Sequence, residues 1–164
     1  MSRRPLKMSM QSMHPESRMW FYGLEQPLTD EQSKVLRGLM DDFVGQWKAH
    51  GAQLAAAYSI IGSQCLIIAV DERQQQATGC SIDKSVHLLM EFGQQYDLDF
   101  FDRMLVFTAN ESGIQAYTPT ALKAAIADGK ITPDTPVMHT LAPTLGASGT
   151  GMIPLDESWA KRYL

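Results

Sequence analysis

An α+β fold is predicted: a ferredoxin-like βαββαβ sandwich with a C-terminal helical and strand extension. Three observations predict it. Residues 19–110 read in the order strand, helix, strand, strand, helix, strand. The first and third strands are apolar on both faces, as strands at the centre of a covered sheet are, and these are the two central strands of that topology. The two helical segments each carry an apolar stripe at helical spacing, as needed to lie on a sheet.

The elements follow in order. Residues 1–18 have no hydrophobic period and carry Arg3, Arg4, Lys7 and Arg18; they read as a disordered basic arm. No apolar stretch follows that basic start, so no signal peptide is expected. Residues 19–22, Met19-Trp20-Phe21-Tyr22, form the first strand, and a turn containing Pro27 follows. Thr29 is a good N-cap, and Gln32 three residues on completes a capping box. Leu36, Leu39, Met40, Phe43 and Trp47 form that helix's buried stripe, with Gly51 as its C-cap. Two strands, 54–61 and 64–70, flank the hairpin signal Gly62-Ser63. The second helix runs from about 81 to 96, with Ile82, Val86, Leu89, Met90 and Tyr96 inward. Asp97-Leu98-Asp99 ends it, and 103–109 is the fourth strand.

The last third is an addition. Thr118-Pro119 reads as N-cap and first-turn proline of a helix closing at Asp128-Gly129. A short strand at 137–140, a loose loop over 141–153 and a last helix at 156–164 with Trp159 and Tyr163 complete the chain. The domain is therefore residues 19–164, with a core at 19–110 and a cap at 111–164. Both faces of the central strands are apolar, so the second face needs a cover. The cap is favoured over another subunit, because Trp159, Tyr163 and Leu164 need burial.

Composition bounds the function. The 164 residues are 45% hydrophobic and 20% charged, which suits one globular domain. A net charge of −4 argues against nucleic acid as partner. No apolar run reaches the ~18 residues a membrane span needs. Cys65 and Cys80 make no disulfide framework, and a reducing cytosol is expected.

The densest supply of reactive groups is residues 71–87. In the expected topology the third strand's end, the first helix's end, the second helix's start and the first strand's start share one rim. Arg18, His50, Asp71, Glu72, Cys80 and Asp83 would converge there. Cys80 at a helix N-terminus gains thiolate stabilisation from the helix dipole, and His50 is the candidate base. His87 lies two turns, ~10.5 Å, along the axis from Cys80, too far for direct proton transfer. The plainer reading of Cys80 is a small residue filling a strand-to-helix turn. Asp83 and His87, four apart, can pair on the helix surface, and a solvated ion pair is favoured over a metal site. Asp97, Asp99 and Asp102 lack the glycine and distal Glu of a calcium loop and read as helix termination, with Asp102 paired to Arg103 or to a neighbouring chain segment. Gly146-Ala-Ser-Gly149-Thr-Gly151 looks like a phosphate loop but lacks the following Lys-Ser/Thr, so a surface loop is favoured. His14 and His139 have no evident partner. No metal and no cofactor are expected.

The segments Trp20-Phe21-Tyr22, Trp47-Lys48-Ala49-His50-Gly51, Ala69-Val70-Asp71-Glu72, Gly79-Cys80-Ser81-Ile82-Asp83, Asp102-Arg103-Met104 and Ile131-Thr132-Pro133-Asp134-Thr135 resemble a family of small uncharacterised bacterial cytosolic proteins. The resemblance covers about residues 19–140 and recurs near Ser158-Trp159. Members are sometimes labelled ABC-transporter ATPases. This chain has no Walker A motif and is too short for such a domain, and the resemblance implies no activity. The expected function is a binding or accessory domain, leaning away from an enzyme. Arg18, Asp71, Glu72, Asp83 and His87 are its binding residues, and a small molecule or protein is its partner. The alternatives are a thiol-dependent enzyme using Cys80 with His50, and a structural homodimer subunit.

Overall fold

A computed structural model describes residues 10–164. The basic arm expected over 1–18 lies outside the described residues as far as residue 9. Its remainder is packed rather than loose: Met10–Ser12 is a 3₁₀ turn, and Met13 and Ser17 are buried. The described chain is α+β, and none of its helices is long and apolar enough to cross a membrane.

β1 (Arg18–Gly23) is followed by α1 (Asp30–Gln46), which opens with the expected Thr29/Gln32 capping box. The chain leaves α1 at Trp47 rather than at Gly51. Trp47 is buried and its indole N–H donates to the Ser81 carbonyl at 2.8 Å, which draws the backbone out of the helix. Gly51 is not the C-cap. With His50 it forms the tip of a two-residue hairpin between β2 (Lys48–Ala49) and β3 (Ala52–Gln53). Both tip residues have positive φ, 51° for His50 and 77° for Gly51, as a type I′ turn requires.

β4 (Ala55–Ile61) and β5 (Cys65–Asp71) form a hairpin around Gly62-Ser63, as expected. β1 pairs with β5 on its other side, so the sheet is antiparallel in the order β1-β5-β4. Here β5 is central and β1 is an edge, a correction to the expected pair of central strands. The fourth strand does not join this sheet. β6 (Val106–Asn110) instead pairs with β7 (Gly113–Tyr117), a strand the sequence reading left out. β1's outer edge is already occupied: the Met19 N–H donates to the Pro143 carbonyl at 3.1 Å, Arg18 bridges Thr144, and the Arg103 guanidinium donates to the Phe21 carbonyl.

α2 (Gly79–Tyr96) starts two residues earlier than expected, with Thr78 as N-cap and Ser81 completing a capping box. Its buried face is also different. Ser81, Ser85, Leu89, Phe92 and Gly93 point inward, while Met90 is 46% exposed. Small serines let α2 approach Tyr22 and Trp47 closely, and a residue of methionine's size has no room there. Leu39, expected in α1's core stripe, is 40% exposed.

α3 (Pro119–Ala127) has the predicted Thr118 cap and first-turn proline. β8 (Pro136–Met138) pairs with β9 (Met152–Pro154), and α4 (Leu145–Ser148) is a single turn between them. The expected loose loop therefore contains both structure types. The last expected helix is two 3₁₀ turns, Leu155–Glu157 and Trp159–Tyr163.

The sheet is covered on both faces. α1 and α2 pack on Trp20, Tyr22, Leu66, Ile68 and Val70. The opposite face meets Met10, Met13, Ala142 and Leu145 over Met19, Ala57 and Ala69, and Met138, Met152 and Phe107 over Phe21 and Cys65. The C-terminal third thus covers the second face, with help from residues 10–13. Trp159 and Tyr163 are half-buried against a separate small core around Leu122 and Leu155, whereas Leu164 remains 48% exposed.

Candidate binding groove and the rim beside it

The expected rim exists as a place in the fold. Arg18 stands opposite Val70 across the β1-β5 ladder, Asp71 stands opposite Ala55, and Trp47 ties the end of α1 to the start of α2. It does not exist as one site, because Asp71, Glu72 and Arg18 are each used locally. Asp71 accepts from Arg73 through both carboxylate oxygens, at 2.7 Å from Nη2 to Oδ2 and 3.0 Å from Nε to Oδ1, and Oδ1 also accepts from the Arg73 backbone N–H. Those hydrogen bonds hold the Asp71 carboxyl below the usual carboxylate range, and His14 nearby lowers it further. Glu72 accepts from the Ala77 backbone N–H at 2.9 Å and fastens the loop into α2. The Arg18 guanidinium lies over the Trp20 ring at 4.8 Å.

The two candidate catalytic residues are not joined. Cys80 is exposed in the first turn of α2, and His50 is exposed at the hairpin tip. No hydrogen bond links them. The positive φ of His50 marks it as a turn residue, and Cys80 is an exposed residue of α2's first turn. Cys65, by contrast, is buried in β5, and burial pushes its thiol up to about 12.

Asp83 and His87 do not form the expected ion pair with each other. Both instead face a groove of about 570 Å³ between α1 and α2. Leu39 and Phe43 of α1 and Leu88 and Phe92 of α2 make its apolar part. Asp83, His87, Glu91 and Gln95 make a polar column along α2, each one turn beyond the last, and Lys84 adds one cation to the lining. Twelve residues at 1.5 Å each give that column a length of ~18 Å. Among the described residues no ion pair or side-chain hydrogen bond engages Asp83, His87 or Glu91. An aromatic series runs from the rim to the groove: Trp20 meets Trp47 at 6.4 Å between centroids, and Trp47 meets Phe43 at 4.9 Å.

Of the seven sequence-predicted residues, the groove therefore holds Asp83 and His87. Arg18, His50, Asp71, Glu72 and Cys80 lie outside it. Glu91, Gln95, Leu88 and Phe43 were missed. The i, i+4 recurrence from Asp83 to Gln95 was a readable signal for the first two.

The lower acidic group behaves as helix termination. Asp97 is the left-handed C-cap of α2 at φ 56°. Asp99 and Asp102 each accept from a backbone N–H two residues ahead, at 2.7 and 3.0 Å. Asp102 does not pair with Arg103, whose guanidinium goes to β1 and lies over the Tyr22 ring at 5.1 Å. Among the described residues no group of three or more His, Cys, Asp or Glu side chains could hold a metal ion.

No protein-family model, curated protein or solved structure matches the chain.

Proposed function

We propose that this chain is a cytosolic, non-catalytic binding or accessory protein whose α1–α2 groove receives a basic amphipathic helix of a partner protein. One observation carries the reading: the groove joins an apolar floor to a polar column whose two carboxylates, with Lys84 beside them, have no ion-pair or side-chain hydrogen-bond partner among the described residues. The floor of Leu39, Phe43, Leu88 and Phe92 suits the apolar face of a helix laid along it. Asp83 and Glu91 offer the negative charge that selects Lys or Arg on the partner's flank, and the chain's net −4 favours the encounter. The ~18 Å column matches about twelve helical residues. The core β1-α1-β4-β5-α2 is read as ferredoxin-like without its fourth sheet strand, in keeping with the resemblance to small bacterial proteins. The thiol-enzyme reading has no comparable support, since no hydrogen bond links Cys80 to His50.

Titration of isotope-labelled protein with two designed amphipathic peptides, one Lys-flanked and one Glu-flanked, tests this. Saturable amide shifts at Leu39, Phe43, Leu88 and Gln95, stronger for the Lys-flanked peptide, are expected. A double variant Asp83→Lys, Glu91→Lys reverses the preference. Shifts elsewhere, or equal response to both peptides, would sink the reading. So would a dimer in sedimentation that Leu39→Asp dissolves, because the groove's occupant would then be a second copy.

A further inference from the structure

The groove between α1 and α2 fixes where a partner's charges must stand. Among the described residues α1 adds only Leu39 and Phe43 to its lining, so the charges a partner meets there stand on α2. Asp83, His87, Glu91 and Gln95 are all exposed and form the outer wall, while Phe92 on the inner row is buried. Asp83 and Glu91 lie two turns apart, about 12 Å along the axis. His87 stands between them and brings no carboxylate, so the intervening turn selects no cation. A helix that satisfies both carboxylates therefore carries Lys or Arg two turns apart on one flank, at i and i+7. A pair one turn apart spans only ~6 Å and reaches one carboxylate.

The two ends of the groove also differ. At one end Lys84 adjoins Asp83 and offsets its charge, and α2 begins at Gly79, so the positive end of its macrodipole lies there. At the other end Glu91 is followed by Gln95 rather than by a cation, and α2 closes on its C-cap Asp97, where the dipole is negative. The N-terminus of a bound helix, with its free N–H groups, is drawn to the second end, and its C-terminus to the first.

We propose that the partner helix lies antiparallel to α2 and carries two cations at i and i+7, the first set against Glu91 and the second against Asp83. The inference rests on the groove being a seat for a basic amphipathic helix, and it adds that helix's register and direction.

The test titrates the ¹⁵N-labelled full chain with two amphipathic peptides of identical composition and apolar face. One carries Lys at i and i+7, the other at i and i+4. The first should bind about two- to five-fold tighter, the worth of one further exposed ion pair. Asp83→Asn and Glu91→Gln, both at exposed positions, should each remove that advantage. A nitroxide on the N-terminus of the first peptide should broaden the amides of Gln94 and Gln95. The same label on its C-terminus should broaden those of Asp83 and Lys84. Equal affinity of the two peptides, an advantage that survives both substitutions, or the reverse pattern of broadening would overturn the proposal and leave the groove as a seat for a basic helix. Binding of neither peptide would overturn both.

Discussion

Asp71 illustrates how a residue can look functional and be structural. Its side chain is 11% exposed and both oxygens are taken by Arg73, whose own side chain is 61% exposed. The pair therefore closes the end of β5 onto its own loop and leaves no free lone pair directed at a substrate. Its effect on stability has a definite sign. The folded carboxyl titrates below its unfolded value of about 3.9. The pair's contribution is thus present above that value and is lost as pH falls through the lower folded one. Asp71→Asn keeps an acceptor for the Arg73 backbone N–H but removes the charge and one of the two oxygens that accept from the Arg73 guanidinium. Urea unfolding should show the variant less stable than wild type at pH 7, with the gap closing below about pH 4. A gap independent of pH would mean that shape, and not charge, is what Asp71 contributes.

At the scale of the element, two glycines of α1 and one of α2 call for opposite expectations. Gly38 sits in the interior of α1 and Gly45 in its last turn, and a Cβ on either would meet nothing within 4 Å. Replacing each with Ala removes backbone freedom from the unfolded chain at no steric cost, and each should add about 0.5–1 kcal/mol. Gly93 is different. A Cβ there would run into the Leu98 carbonyl oxygen, where the chain doubles back past the Asp97 cap. Backbone cannot yield as a side chain can, so Gly93→Ala should cost about 1–3 kcal/mol. Denaturant unfolding of the three variants reads all three signs, and a neutral Gly93→Ala would show that this turn relaxes. The same contrast explains what was legible beforehand. The caps at Thr29 and Thr118 were legible because each acts within three residues of itself, whereas the Thr78 cap of α2 was passed over. The face of α2 was not, because the close approach of Tyr22 and Trp47 places Ser81 and Ser85 inside and turns Met90 out. Asp83 and His87 were legible as site residues, but pairing them with each other mistook a wall for a contact. The partner of β6 was illegible for a similar reason: it depends on what already occupies the edge of β1, a fact about residues 143–145.

For the whole molecule, the question is whether the C-terminal third is a cap bound to the sheet or a unit of its own. Its small core around Leu122, Val137 and Leu155 shares no buried residue with the helix-covered core. The two are nonetheless stitched together. Phe107 meets Phe21 at 5.6 Å between centroids and packs over Gly23 so closely that a Cβ there would strike the ring. Met138 and Met152 reach the same face from β8 and β9. Such packing predicts a single cooperative transition. In a Trp159→Phe background only Trp20 and Trp47 report, and both belong to the helix-covered side. Leu155 is fully buried on the other side, so Leu155→Ala should cost about 2–5 kcal/mol through the cavity it leaves. If the molecule is one unit, that loss lowers the urea midpoint seen by Trp20 and Trp47 fluorescence as much as the midpoint seen by far-UV circular dichroism. Fluorescence that stays at its original midpoint while part of the dichroism is lost early would make the cap a separately folding unit.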